Sequence, residues 1–471
     1  MSATKKAVTG TVPKQGPVID DWRPEDSHFW AAGGKAIATR NLWISIPALL
    51  LAFAVWMVWS TVIVRLNSIG FTFSTDQLFW LAALPGLSGA TLRIFYSFMV
   101  PIFGGRRWTA LSTASLLAPA LWMGFAVQDT STPYNVFVLI ALLCGFGGGN
   151  FASSMSNISF FYPKAQQGTA LGMNAGLGNL GVSVMQFGVP LVISVGIFGA
   201  LGGAPQNLPD GSQLWLQNAG FIWVPFILAV TLAAWFGMND LTSAKASFSE
   251  QAVIFKRKHN WLMCWLYLAT FGSFIGFAAG LPMLIKTQFP GVDPLKFAFL
   301  GPLVGALIRP VGGWLADKMG GAQVTLWNFV VMIAAVFGVL QFLPQAGSEG
   351  NFYGFLAMFM LLFVTTGVGN GSTFRMIPVI FRTQHERLSA GKSKEEQEQA
   401  GKNAGKEAAA VLGFSSAMAA YGAFFIPKSF GTSMALTGGP QMALYAFVGF
   451  YVSCIVLTWW SYARKGAEMP C

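Results

Sequence analysis

The sequence predicts an all-α polytopic membrane protein of about twelve transmembrane helices, arranged as two six-helix bundles with both termini in the cytoplasm. Three observations lead to this fold class: an apolar composition, apolar runs of membrane-spanning length, and an internal repeat. Of the 471 residues, 54% are hydrophobic and 10% are charged, and the mean hydropathy is +0.56. Such a composition is typical of a chain embedded in lipid.

Runs of roughly 20 apolar residues, the length that crosses a ~30 Å hydrocarbon core as a helix, recur along the whole chain. We expect no cleaved signal peptide, because the first forty residues lack a short apolar core followed by a small-residue cleavage site. The predicted helices are 41–64, 77–103, 108–127, 134–161, 167–198, 219–238, 260–285, 297–316, 322–343, 352–381, 407–434 and 441–463.

The domain boundaries follow from these runs. We predict an N-terminal segment at 1–40, a first bundle at 41–238, a linker at 239–259, a second bundle at 260–463 and a tail at 464–471. Within the second bundle, the charged segment 382–406 predicts a solvated, partly helical lid.

The net charge is +11. In a membrane protein the location of the basic residues indicates the topology, because cytoplasmic loops are enriched in Lys and Arg. If the amino terminus lies inside, the opposite face of the membrane holds few basic residues, namely Arg65, Lys286, Lys296 and Lys428. Most of the others fall in the predicted cytoplasmic segments. The bias therefore predicts that both termini are cytoplasmic.

A repeat divides the chain in two. The stretch "LPGLSGATLR" at 84–93 resembles "LGPLVGALIR" at 300–309, and the two are offset by 216 residues. A second pair, "CGFGGGN" at 144–150 and "TGVGNGS" at 366–372, repeats Gly-x-Gly-x-Gly in the next equivalent helix. The halves thus run in parallel topology, as in transporters whose two bundles rock about a site at the membrane midplane.

Each repeat ends in an arginine, Arg93 and Arg309, deep in the second helix of its half. A charge at the bilayer centre costs at least ~2.5–3.5 kcal/mol, so each arginine needs a partner. None of the eighteen acidic residues falls in the middle of a predicted helix; Asp317 is eight residues beyond Arg309, roughly 12 Å along an α-helix. Either both arginines face a cavity and share an exogenous anion, or they bond to carbonyls and water. Their planar fork suits a small planar oxyanion.

Several other functions are disfavoured by the sequence. No metal-ligand spacing, nucleophile or acid-base cluster is present, so we expect neither an enzyme nor a metal site or cofactor. The run "GLGNLG" at 176–181 fits a dinucleotide motif but lies within an apolar helix, where close helix packing explains it better. His28, His259 and His385 lie outside the helix interiors, and without a proton carrier the exchange of one anion for another is the economical hypothesis.

The strings "DWRPED", "YSFMVPIFGGRRW", "FAVQDTSTPY", "NFASSMSNISFFYPK", "AAWFGMNDL" and "YLATFGSFIGF" resemble the NarK-type nitrate/nitrite porters of the major facilitator superfamily. The resemblance covers nearly the whole chain after the first twenty residues. It implies the major facilitator fold and a multi-pass protein of the bacterial inner membrane. Its partners would be nitrate, nitrite and the lipid bilayer, not nucleic acid, and we expect a monomer.

The resemblance also implies particular site residues. Arg93 and Arg309 match the family's substrate arginines, Tyr267 matches a substrate-contacting tyrosine, and Phe151 and Phe374 match two aromatic residues that sandwich the anion. A planar, weakly hydrated anion suits aromatic walls with donors at its edge.

The run "GTALGMNAGLGNLG" at 168–181 resembles the family's signature motif, whose glycines let helices touch and slide. Its polar members, Asn174 and Asn179, either contact substrate or bond between helices. The expected conformational glycines are Gly172, Gly176, Gly178, Gly181, Gly413 and Gly422.

Together these features predict a nitrate/nitrite antiporter that works by rocker-switch alternating access, with one anion at a time between the two arginines. The alternatives are a nitrate-proton symporter and, from a different class, a small-anion channel. The missing core carboxylate disfavours the first, and the two-bundle repeat disfavours the second.

Overall fold

The computed structural model describes residues 16–244, 252–345 and 347–471. Parts of the predicted N-terminal segment (1–15) and linker (245–251) lie outside the described residues. Twelve described helices are long and apolar enough to cross a membrane, which confirms the predicted number of transmembrane helices. They are α1 Ser27–Ile69, α2 Thr75–Tyr96, α3 Gly105–Ala126, α4 Tyr134–Phe161, α5 Lys164–Val192, α6 Asn218–Gly237, α7 Lys258–Gln288, α8 Pro294–Met319, α9 Gly321–Phe342, α10 Phe352–Leu388, α11 Lys394–Thr437 and α12 Gln441–Ala463.

Five helix ends differ from the prediction by six residues or more. Helices α2 and α5 end early, at Tyr96 and Val192 instead of 103 and 198. The other three ends extend beyond the apolar runs, because polar groups and not apolarity set them. Helix α1 begins at Ser27, well before residue 41, since the Asp26 carboxylate accepts hydrogen bonds from the backbone amides that follow it. Helix α10 continues to Leu388, and α11 begins at Lys394. There the Ser393 side chain and Glu396 form a capping box. The charged segment 382–406 is therefore mostly helical, as two extensions joined by a short turn.

Outside these spans the described residues form three short helices, at Met99–Phe103, Gly199–Gly202 and Ala252–Lys256. They also form four short strands: β1 Val18–Ile19, β2 Gln206–Asn207, β3 Gln213–Leu214 and β4 Asp240–Leu241. Strand β1 pairs in parallel with β4, just after α6. The Trp22 indole donates to the Phe160 carbonyl at 3.1 Å, so the segment before α1 is docked on one end of the first half. We call this end, which also holds the start of α7 and the end of α12, the terminal face, and the other end the far face.

The two halves meet along three helix pairs, α1 with α7, α2 with α11, and α5 with α8. In the sequence repeat, α2 corresponds to α8 and α5 corresponds to α11. The pair α2–α11 in one half-interface is therefore equivalent to the pair α8–α5 in the other. The interface therefore has the pseudo-twofold symmetry expected of two parallel repeats. Helices α2 and α8, which carry the two arginines, lie at this interface.

The halves are joined by ion pairs at the far face. Arg65 pairs with Asp293 at 2.8 Å, and Lys428 pairs with Asp76 at 2.9 Å. Among the described residues, these are the ion pairs that cross between the halves, and Lys286 also donates to the Val64 carbonyl. Near the terminal face, by contrast, a Cβ added at several glycines of α5 and α11 would meet nothing within 4 Å, as at Gly172, Gly176 and Gly413. Because the described ion pairs that join the halves lie at the far face, we interpret this conformation as one that opens toward the terminal face.

We predict that the far-face ion pairs hold this conformation. In the double variant Asp76→Asn, Asp293→Asn the population open at the far face should rise about two- to tenfold, because partly exposed pairs each contribute up to about 1 kcal/mol. Electron paramagnetic resonance distances between spin labels at Leu201 and Glu349, one in each half, would measure the shift. Glu468→Gln, which removes a terminal-face pair within the second half, is the matched control. Identical far-face distances in the double variant and the wild type would contradict the prediction.

Candidate functional site

Arg93 lies on α2 with 0% of its surface exposed. Its Nε donates to the Gly148 carbonyl on α4 at 2.8 Å, and its Nη1 donates to the Ser416 carbonyl on α11 at 3.1 Å. The guanidinium is therefore held by backbone acceptors from both halves of the protein. Gly148 makes this approach possible, since a Cβ there would lie 2.7 Å from the Gly89 Cα of α2.

Arg309 occupies the repeat-equivalent position on α8 and is only partly buried. Its Nη2 donates to the Tyr267 hydroxyl of α7 at 3.3 Å. Tyr267 itself is 1% exposed and ends the first α-helical part of α7, immediately before a π-helical turn at Leu268–Gly272. Such turns are frequent at functional sites. The two arginines thus occupy unequal environments despite their equivalent places in the repeat.

Aromatic rings cover both guanidinium groups. The Arg93 Cζ lies 4.9 Å from the ring centroid of Phe151, 5.2 Å from Trp56 and 5.8 Å from Phe271. The Arg309 Cζ lies 5.1 Å from the ring centroid of Phe374. In an interior with little water, each such contact stabilises the cation by as much as about 2 kcal/mol.

The same rings form a continuous row between the arginines. Consecutive ring centroids are 6.5 Å apart from Phe151 to Phe271, 5.6 Å from Phe271 to Tyr267, and 6.1 Å from Tyr267 to Phe374. The structure therefore brings Arg93, Arg309, Tyr267, Phe151 and Phe374 into one connected site. In this conformation Phe271 and Tyr267 lie between the two expected sandwich residues, Phe151 and Phe374.

Two guanidinium nitrogens at this site lack a partner. Among the described residues, Arg93 Nη2 and Arg309 Nη1 are buried and find no acceptor for their N–H groups. The nearest acidic candidate in sequence, Asp317, is paired instead with Arg375 of α10. Arg93 is fully buried and Arg309 partly buried, and each has a free donor and no carboxylate partner in the described part of the chain. They form a site that an exogenous anion would complete.

In the described part of the chain, neither predicted asparagine is hydrogen-bonded to a residue of this row. The Asn174 amide is buried and donates to the Ser154 hydroxyl on α4 at 2.8 Å, and Ser154 in turn meets Ser45 of α1. Asn179 is also buried, and its Oδ1 has no partner in the described part of the chain. In this conformation the Asn174 amide nitrogen therefore bonds between helices, and the Oδ1 atoms of Asn174 and Asn179 both keep a free acceptor among the described residues.

The predicted conformational glycines fall into two groups. Added Cβ atoms at Gly178, Gly181 and Gly422 would lie 2.6 Å from Leu49, 2.1 Å from the Leu50 carbonyl and 2.3 Å from Gly272. Those at Gly172, Gly176 and Gly413 would meet nothing within 4 Å. The first group packs helices together in this conformation, and the second lies toward the open terminal face.

Sequence reasoning missed Trp56 and Phe271. Both are aromatic residues within long apolar runs, where packing in the core is the default explanation. One signal was available for Phe271, because it follows Tyr267 by four residues and thus shares its helix face. Trp56 also orients the site: its indole donates to the Pro85 carbonyl of α2 at 2.7 Å, which places the ring over Arg93.

The fold and this central cationic site define a membrane carrier. Residues 44–390 match the family model of the Major Facilitator Superfamily, and the chain belongs to that superfamily. A crystal structure of a bacterial homologue of the human lysosomal transporter Spinster, inward-facing and unoccupied, superposes with a TM-score of 0.58 at 15% identity, covering 90% of this chain and 94% of that one. At that identity the likeness shows the fold alone.

Two curated relatives narrow the class. The chain is 59% identical to the nitrate/nitrite transporter NarU of Salmonella typhimurium over 95% of its own length and 96% of the relative's. It is 44% identical to the probable nitrate/nitrite antiporter NarK2 of Thermus thermophilus, over 97% of its own length and 99% of the relative's. Within the superfamily, the chain is a member of the NarK-type nitrate/nitrite porters, which confirms the resemblance seen in the sequence.

The two groups of glycines give a matched test. Gly422→Ala places a methyl group against the Gly272 backbone and should destabilise the protein by about 1–3 kcal/mol, as overpacking does. Gly413→Ala on the same helix adds its methyl in open space and should leave thermal stability in detergent unchanged or slightly higher. Thermal unfolding of both variants would measure the difference. Equal losses in the two would show that the close α7–α11 contact is not what requires glycine.

Proposed function

We propose that the protein exchanges nitrate and nitrite across a bacterial inner membrane by alternating access, holding one anion at a time between Arg93 and Arg309. One observation carries the proposal: two buried guanidinium nitrogens without partners, in a site that contains no carboxylate among the described residues. The names of the relatives, a nitrate/nitrite transporter and a probable antiporter, indicate which anions complete the site.

The geometry suits a planar oxyanion. Free donors on two arginines would contact its edge, and the aromatic row from Phe151 to Phe374 would cover its faces. A weakly hydrated anion loses little hydration free energy when it moves from water to a site with aromatic walls, whereas a strongly hydrated anion loses much more. The Tyr267 hydroxyl accepts a hydrogen bond from Arg309. Tyr267 therefore has the role of orienting that guanidinium.

Exchange follows from the charge of the empty site. When the two halves rock, the cavity closes on one face and the two arginine side chains pass through a state sealed from water. Sealing two cations that still have free donors is costly unless an anion is bound to them. In the proposed topology both termini are cytoplasmic, so the terminal face is the cytoplasmic one and the open conformation faces inward. Bound substrate would then permit the change that the empty carrier resists.

Proton symport is the alternative, and the positions of the titratable groups disfavour it. Imidazole-carboxylate pairs among the described residues are His259–Glu468 and His385–Glu407, both toward the terminal face. His385 follows Phe374 by eleven residues of α10, roughly 16 Å along the helix. The hydrogen bond from Lys258 lowers the pKa of the Glu468 carboxyl, so that carboxylate stays ionised near neutral pH and does not carry a proton.

Proteoliposomes test exchange directly. Vesicles loaded with nitrite should take up labelled nitrate at least about tenfold faster than vesicles without an exchangeable anion, because the loaded carrier crosses the barrier that the empty one does not. An imposed pH gradient should not replace internal anion. Uptake into empty vesicles driven by that gradient would establish symport instead, and uptake that does not saturate would indicate a channel.

Arg93→Lys should reduce exchange by about tenfold or more while keeping the charge. A lysine ammonium cannot reproduce the planar fork that bonds Gly148, Ser416 and an anion at once. Initial rates of nitrate-nitrite counterflow would measure the loss. Arg382→Lys, at an exposed position on the terminal part of α10, is the control and should exchange at the wild-type rate. Near-normal counterflow by Arg93→Lys would refute the site.

A further inference from the structure

Arg375 and Asp317 form an ion pair between α10 and α8 on the terminal side of the central site. Arg375 directly follows Phe374, whose ring covers Arg309. Asp317 lies eight residues beyond Arg309 on α8, roughly 12 Å toward the terminal face. Asp317 is thus about two helical turns beyond Arg309, on the terminal side, whereas Arg375 is next to a residue that lines the central site.

The repeat shows that this charge pair belongs to one half only. At the offset of the arginine repeat, Asp317 corresponds to Pro101. At the offset of the Gly-x-Gly-x-Gly repeat, Arg375 corresponds to Ser153. The first half therefore has no counterpart of the pair, although it has a counterpart of Arg309. A requirement of the fold shared by both halves does not explain an ion pair found in one of them.

The exposure of the pair makes it easy to open. The Arg375 and Asp317 side chains are 55% and 52% exposed, and ion pairs exposed to this degree are weak and screened by salt. An incoming anion can therefore replace the Asp317 carboxylate on the guanidinium at little cost. The fork of Arg375 offers such an anion the same edge geometry as the central arginines.

We infer that Arg375 forms a second, outer anion site at the terminal face, with Asp317 as its displaceable counterion. The inference rests on the proposed function. The ligand is a small planar monovalent oxyanion, of the class that the central site binds. From Arg375 it passes along Phe374 to Arg309, so the outer site raises the local concentration of substrate at the open mouth. Asp317 keeps the guanidinium neutralised and in place when no anion is bound.

The test measures each face separately. Counterflow is recorded in proteoliposomes with saturating anion on the opposite face. Their orientation is established by protease cleavage in the exposed turn at 390–393. Arg375→Gln should raise the KM at the terminal face about three- to tenfold, because an attracting charge is lost. The KM at the far face and the maximal rate should not change, and this also shows that the variant is folded.

Asp317→Asn should act in the opposite direction and lower the terminal-face KM about two- to fivefold, because the anion no longer competes with a carboxylate. The double variant should resemble Arg375→Gln alone, since Asp317 acts through Arg375. Lys318→Gln is the matched control: it removes one positive charge next to Asp317, but from a side chain stacked on Trp314.

Three outcomes would overturn the inference: an unchanged KM in Arg375→Gln, equal KM changes at both faces, or a Lys318→Gln effect as large as that of Arg375→Gln. The last result would indicate general surface potential and no site. These outcomes are distinct from a failure of the proposed function, in which the wild-type protein itself shows no counterflow.

Discussion

Two arginine charges in the membrane interior, with no carboxylate partner among the described residues, are the constraint on which the structure of this protein depends. An unpaired charge in the membrane interior is costly, so every group around Arg93 and Arg309 must offset part of that cost. The Gly148 and Ser416 carbonyls, the Tyr267 hydroxyl and the aromatic faces do so incompletely, because one nitrogen of each guanidinium keeps no partner. The anion of the proposed function would supply the missing acceptors.

The packing of the helices serves the same constraint. Carbonyls can reach a guanidinium only where helices approach closely, and Gly89 and Gly148 allow α2 and α4 to do so. The contact between α7 and α11 at Gly272 and Gly422 similarly lets residues of one half lie beside the other. Because the Ser416 acceptor comes from α11, the coordination of Arg93 is a property of both halves together. The charge and the interface therefore cannot be altered independently.

Much of this could be predicted from the sequence. Length and apolarity predicted the twelve helices, and the repeat identified Arg93 and Arg309, because a charge within an apolar run is conspicuous. Helix ends beyond the membrane were predicted poorly, since Asp26 and Ser393 act through capping and not through hydropathy. Trp56 and Phe271 were missed because aromatic residues are common in apolar runs. The pairing of Asp317 with Arg375 joins residues 58 positions apart, and local patterns do not predict such contacts.

The backbone acceptors at Gly148 and Ser416 have a genetic consequence. A carbonyl oxygen is present whatever side chain its residue carries, so substitution at position 416 does not delete the acceptor that it supplies to Arg93. A mutational scan would therefore record this half of the guanidinium's coordination only indirectly, through changes that displace α11. Tolerance of substitution at Ser416 would consequently say little about its part in transport, whereas the position of its helix would say a great deal.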